Sequence, residues 1–140
     1  MDVIVSVPVL KGRSLSPRVV EFVLTQGGVS LQLCITAEES AEIPDFLYTF
    51  PDDRVHINSS FTPGIEGCHN YALSYYKAEY FFLLAPDTLL LPGALAGLVK
   101  ELRANPEIVL SMGTGYHGAN LEIDLTLTEF RRQYPQLDLF

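Results

Sequence analysis

The residues best suited to chemistry in this chain are a few isolated polar groups at the ends of apolar runs. From Phe81 to Val99 the only charged residue is Asp87, in the turn Ala85-Pro86-Asp87 that ends the run Glu79 to Leu84 (EYFFLL). One such carboxylate can hold magnesium when phosphate oxygens and water complete the shell. The same aspartate also suits a turn, or the entry of a helix before Pro92. Glu38-Glu39 follow a second apolar run, where acids also favour a helix start. His69-Asn70 lie within a stretch of helical period, and His117 lies in the turn Gly113-Thr114-Gly115-Tyr116-His117-Gly118. Histidine can donate to phosphate but is only partly charged near neutrality. His69 reads equally well as a partly exposed helix residue, and His117, alone in a loop, reads more simply as an exposed polar residue than as a substrate contact.

Charge narrows the choice of ligand. The 140 residues carry 9 basic and 17 acidic side chains, a net charge of −8. The only tight basic cluster is Arg131-Arg132, so a nucleic-acid partner is not expected. A diphosphate held through a cation is compatible with this balance, because the metal supplies the positive charge. Apolar residues make up 48% and charged residues 19%, a composition that folds. The length fits one domain, 1–140. Cys34 and Cys68 make no disulfide framework, and Cys34, inside an apolar run, reads as a small buried hydrophobe. MDVIVSVPVL has no basic leader and does not read as a signal peptide. The Phe81–Val99 stretch imitates a membrane span, but prolines, glycines and Asp87 interrupt it. A carboxylate near the bilayer centre costs about 2.5–3.5 kcal/mol. A buried strand, a turn and a helix explain the same letters, and we expect a soluble, cytoplasmic protein without a membrane span.

Elements that could position these groups alternate between short apolar runs and helical periods, the pattern of parallel strands covered by helices. Val3 to Val9 is the first strand. Ser16-Pro17 supplies an N-cap and a first-turn proline, and Val19, Phe22 and Val23 mark a helix stopped by Gly27-Gly28. Ser30 to Ala37 is the second strand, Glu38 to Tyr48 a short helix, and Asp53 to Ile57 a third strand. A helix is expected from Glu66 to Lys77 with Cys68, Ala72, Tyr75 and Tyr76 on one face. Glu79 to Leu84 follows as a fully buried strand, with Phe81-Phe82 and Tyr75-Tyr76 as core. Leu95, Leu98, Val99 and Leu102 define the clearest helix, ended by Asn105-Pro106, before a fifth strand from Ile108 to Met112. The tail 119–140 mixes polar and apolar residues.

In this order the local signals resemble a family 2 glycosyltransferase of the GT-A fold, over about Val3 to Gly113. Val5-Ser6-Val7-Pro8-Val9 resembles the opening strand, and Phe22-Val23-Leu24-Thr25-Gln26 the end of the first helix, where a glutamine recurs. Gly67-Cys68-His69-Asn70 with Ala72-Leu73 is similar to the glycine, arginine-asparagine and small-apolar pattern of the third helix. Ala78-Glu79-Tyr80 leads into the central strand, and Leu83 to Leu91 with Pro92-Gly93-Ala94-Leu95 resembles the Asp-X-Asp turn and its following helix. Asn105-Pro106-Glu107 resembles the lead into the next strand.

The resemblance implies a Rossmann-like α/β domain, a mostly parallel sheet of about five strands with helices on both faces. It implies a nucleotide diphosphate sugar held by Pro8, Val9, Glu38, Glu39, His69, Asn70, Pro86 and Asp87, with Asp87 as ligand to magnesium or manganese. The chain departs from the pattern in three places. Ala85 replaces the first aspartate of Asp-X-Asp, Glu38-Glu39 stand where paired aspartates are usual, and His69 replaces the arginine. Residues 114–140 form a divergent tail too short for the acceptor-binding half, and its carboxylates Glu122, Asp124 and Glu129 fit no general-base motif. Two functions follow: a minimal metal-dependent hexosyltransferase, completed by a homo-oligomer or a partner chain, or a module that kept the fold for binding or assembly without catalysis.

Overall fold

The computed structural model describes residues 1–111. Its elements are β1 (Val3–Val9), α1 (Pro17–Leu24), β2 (Leu31–Ala37), a 3-10 turn (Asp45–Thr49), β3 (Val55–Ser59), α2 (Ile65–Tyr75), β4 (Tyr80–Leu83) and α3 (Ala94–Ala104). The four strands form one sheet in the order β3-β2-β1-β4, and every pairing is parallel. Parallel neighbours need crossover connections, and the helices supply the cover.

Because side chains alternate across a strand, β1 divides the molecule into two faces. Val3, Val5, Val7 and Val9 pack with Leu33 and Ile35 of β2, with Val19 and Val23 of α1 and with Leu95 and Val99 of α3. On the other face, Ile4 of β1 and Cys34 of β2 meet Ala72 of α2, with Phe81, Tyr76 and Ala78 against them. The expected α/β class, with helices on both faces of a parallel sheet, is what the chain adopts. The Phe81–Val99 stretch becomes strand, turn and helix start, and among the described residues no helix is long and apolar enough to cross a membrane.

Several expectations need correction. Four strands are described, not five: residues 108–111 form no strand, and Val109 is 97% exposed. A turn closed by Ile108 N–H donating to Asn105 O (2.9 Å) leads into this segment, which has no ladder partner among the described residues. Met112 and the rest of the chain, with His117, Arg131-Arg132 and the tail carboxylates, lie outside the described residues. β4 is an edge strand among those residues rather than a fully buried one; Phe81 and Phe82 are half-buried and Leu83 is 55% exposed. No α-helix spans 38–48, because Pro44 disfavours helical backbone at Ile43 and leaves only the 3-10 turn behind it. β3 begins two residues later than expected, at Val55. Tyr75 is no core residue. α2 ends there, and its ring, 72% exposed, stacks on Tyr71 at 4.5 Å instead of reaching the sheet.

Candidate functional site at the carboxyl ends of the strands

Strand order places a gap where β1 and β4 part. The chain steps from β1 outward to β2 and β3, then returns to place β4 on the other side of β1. Reversals of this kind open a crevice beyond the carboxyl ends of the strands, where open α/β sheets take ligands. The register shows how the gap forms. β1 pairs with β2 as far as Val9↔Ala37, but with β4 only as far as Ser6↔Leu83. Even-numbered residues of β1, and Asp2 just before it, turn their backbone toward β4: Asp2 O accepts from Tyr80 N and Ser6 O from Leu84 N (2.9 and 3.0 Å). The next even residue is Pro8, which has no N–H to offer. Its missing donor faces the place where the β1–β4 ladder stops, so the proline costs no hydrogen bond there.

Past that point the chain runs through Leu84 and Ala85 to the Pro86-Asp87 turn, closed by Thr88 N–H donating to Ala85 O (3.2 Å). Pro86 is buried and Asp87 exposed, and the Asp87 carboxylate has no hydrogen bond or ion pair among the described residues. Gln26 fixes the segment that follows. Its buried amide Nε2 lies within reach of Phe22 O (3.2 Å), Leu90 O (3.1 Å) and Leu91 O (2.9 Å), and its Oε1 accepts from Leu95 N (3.3 Å). Gly93, at the N-cap of α3 with φ 79°, has no side chain for capping, and Gln26, two residues past the end of α1, satisfies an N–H that the helix start leaves free.

Glu38 lies beyond β2 and acts as a clamp. Oε1 accepts from Lys11 N and Oε2 from Gly64 N, both at 2.6 Å. These two backbone N–H groups, Lys11 first, hold its carboxyl below the usual range. Thus Glu38 ties the loop after β1 to the residue that opens α2, Gly64, whose φ of 91° suits glycine. Glu39 is exposed beside it. On α2, His69 is half-buried and its Nδ1 lies 2.8 Å from the Oγ of Ser6, a buried residue in the middle of β1. Burial lowers the His69 pKa from its ordinary value, and Glu66 opposes this more weakly. Asn70, next along, is exposed.

Pro8, Val9, Glu38, Glu39, Pro86 and Asp87 therefore lie at the carboxyl ends of the strands, and Glu38 and Ser6 anchor the helix that carries His69 and Asn70 to the same sheet. Two of these side chains already have protein partners: Glu38 through both oxygens, His69 through one nitrogen. For a divalent cation, Asp87 offers one uncommitted carboxylate at a strand end, which fits an ion that draws its other ligands from diphosphate and water. Among the described residues no group of three or more His, Cys, Asp and Glu is gathered.

A second set of polar groups, unmarked by any sequence motif, lies on the α2 face. Thr36 Oγ1, His56 Nε2 and Asn58 Nδ2 are buried without a hydrogen-bond partner among the described residues. Register puts them on one patch, since Cys34 pairs with His56 and Thr36 with Asn58. Tyr76 closes it, donating from its hydroxyl to Asn58 Oδ1 (2.9 Å), with its ring 5.5 Å from that of His56. Alternation along Leu31–Ala37 and Val55–Ser59 could have suggested this row once the register was known. A groove of about 270 Å³, lined by Val3, Tyr80, Phe82, Leu98, Leu102 and Leu110 among others, opens near the amino ends of β1 and β4. That is the far end from Asp87. The chain matches no family model and no curated protein.

Proposed function

We propose that this chain is a glycosyltransferase-like domain that binds a nucleotide diphosphate sugar in the crevice between the carboxyl ends of β1 and β4. One observation carries the reading: β4 leaves β1 at Leu83, Pro8 lies at the gap, and the uncommitted carboxylate of Asp87 follows at the end of β4. Pro8, Val9, Glu39, His69 and Asn70 bind or border the nucleotide, and Glu38 shapes the site from below by holding Lys11 and Gly64. Asp87 holds magnesium or manganese, which neutralises charge on the departing diphosphate. A homo-oligomer or a partner chain completes the acceptor side, and the protein works in the cytoplasm.

A second reading, a binding or assembly module without catalysis, is favoured by the commitment of both Glu38 oxygens to backbone amides. In that case the acids after β2 build the fold rather than grip a ribose.

Thermal unfolding with nucleoside diphosphates, with and without manganese or magnesium, tests both readings. A ligand at one hundred times its Kd adds about 2.7 kcal/mol of stability. We expect the midpoint to rise only when nucleotide and metal are both present. Asp87→Asn should remove that rise while leaving the unliganded midpoint in place, because the carboxylate is exposed and without a partner among the described residues. Absence of any shift at saturating ligand would overturn nucleotide binding. A metal-dependent shift without cleavage or transfer of a bound sugar would select the module.

A further inference from the structure

We propose that Ser6 is a positioning residue that holds the His69 imidazole in a single neutral tautomer, its proton on Nε2, so that His69 presents a fixed N–H donor to an anionic oxygen of the ligand. The donor role rests on the nucleotide reading above; the tautomer does not.

The argument follows the hydroxyl hydrogen of Ser6. This residue is fully buried on β1, between β2 and β4, with its side chain on the α2 face. Its backbone oxygen already accepts from Leu84 N. Among the described residues its Oγ has one partner, His69 Nδ1 at 2.8 Å. If Nδ1 carried the ring proton, it would donate to Oγ and the hydroxyl hydrogen would be left in the interior without an acceptor. A buried donor without a partner is costly enough to bias the two tautomers by roughly tenfold or more. When the hydroxyl donates to Nδ1 instead, both groups are satisfied and the ring proton must sit on Nε2. Histidine tautomers are commonly set in this way, by the bond that the other nitrogen makes.

The outer nitrogen is available. Among the described residues the buried side-chain atoms without a partner are Thr36 Oγ1, His56 Nε2 and Asn58 Nδ2, and His69 Nε2 is not one of them. It makes no hydrogen bond there either. The position of the ring is fixed as well. Cys68 and Ala72, on either side of His69 along α2, are buried, and Glu38 holds the helix entry at Gly64. Because burial keeps His69 below its ordinary pKa, the ring is neutral at pH 7.5. It acts as a directed dipole rather than a charge, so the hydrogen-bond direction set by Ser6 carries the recognition.

Nitrogen-15 NMR of the imidazole in the full chain at pH 7.5 reads the tautomer directly. The wild type should show a pyridine-type signal at Nδ1 and a pyrrole-type signal at Nε2. Ser6→Ala should move both toward intermediate values as the tautomers mix, and Ser6→Thr, which keeps a hydroxyl, should restore the wild-type pattern. A pyrrole-type Nδ1 in the wild type overturns the proposal without any variant, as does an unchanged pattern in a folded Ser6→Ala. Titration with inorganic diphosphate and with a nucleoside diphosphate, each with magnesium present, tests the donor role. We expect the Nε2 proton to shift on binding, and Ser6→Ala to weaken binding about tenfold. If nucleotide stabilises the protein but leaves Nε2 unmoved, the donor role falls and the nucleotide reading stands. If diphosphate shifts Nε2 and no nucleotide binds, the donor role stands and the nucleotide reading falls.

Discussion

The two faces of the sheet are built from the same strands by opposite rules. On the α1/α3 face the valines of β1, Leu33 and Ile35 of β2 and Leu95 of α3 form a dry interior. On the α2 face, the neighbouring residues in sequence are Ser6, Cys34, Thr36, His56 and Asn58, and three buried polar atoms there lack a partner among the described residues. The first face supplies stability. The second gives some of it up, since a buried polar atom without a bond costs about 1–3 kcal/mol, and it is the face that carries His69. Local conflict with the rules of packing is commonest where a fold does something else.

Adjacent residues on β2 test this contrast most strongly. Leu33 and Cys34 are both fully buried but point to opposite faces. Leu33→Ala should cost about 2–5 kcal/mol, the usual range for such a cavity. Cys34, a thiol whose pKa burial pushes up to about 12 and which therefore packs as a small hydrophobe, should cost only about 1 kcal/mol as Cys34→Ala. Equal losses in denaturant unfolding would erase the distinction between the faces. Thr36→Val should go the other way. It keeps the shape and removes a buried hydroxyl without a partner, so we expect a gain of up to about 1 kcal/mol. A loss of that size would show that the hydroxyl is satisfied in solution and that the α2 face is less costly than it looks.

How much of this was legible in the sequence depends on how local the determining interaction is. Ser16-Pro17 announces α1 because capping is decided within one turn, and Ser16 does accept from Arg18 N (3.2 Å). β1 and β2 are legible because strands buried on both faces need unbroken apolar runs. β4 misled for the same reason: EYFFLL reads as fully buried, yet whether a strand is central or at an edge depends on which strands pair with it, which its own letters do not state. Over 38–48 two local signals conflict: the acids favour a helix start, and Pro44 stops a helix before it. In the site, Asp87 is legible as a lone carboxylate in an apolar stretch. The clamp by Glu38, the capping of α3 by Gln26 and the Ser6–His69 pair join residues 26, 69 and 63 positions apart, and only the register shows which side chains face each other. Ser6 and Pro8 stand out in VIVSVPV only once even positions are known to face α2 and turn their backbone toward β4.

The smallest and most local effect concerns how α2 is held over its polar face. Glu38 is held below the ordinary carboxylate value of 4.5 by the N–H groups of Lys11 and then Gly64. A carboxyl whose pKa is lower folded than unfolded binds fewer protons in the native state. It therefore stabilises the fold above the unfolded value and loses that contribution as pH falls through the folded one. Asp2, brought to about 2 chiefly by the Ser30 N–H and then Arg103, titrates the same way at the amino end of the sheet, so total stability in acid cannot isolate Glu38. The amide signals of Lys11 and Gly64 can. Both should move together from about pH 4.5 downward, and in Glu38→Gln they should stay flat across that window. The midpoint difference between Glu38→Gln and wild type should be largest above pH 5 and shrink below pH 4. Since Gly64 opens the helix that carries His69, Glu38→Gln at pH 7.5, where the imidazole is neutral, should broaden the Nδ1 signal of His69. If Lys11 and Gly64 respond while His69 does not, Ser6 alone holds the imidazole and the clamp serves only the loop. If none responds, the two 2.6 Å contacts do not hold α2 to the sheet, and the polar face owes its arrangement to the packing of Cys68 and Ala72.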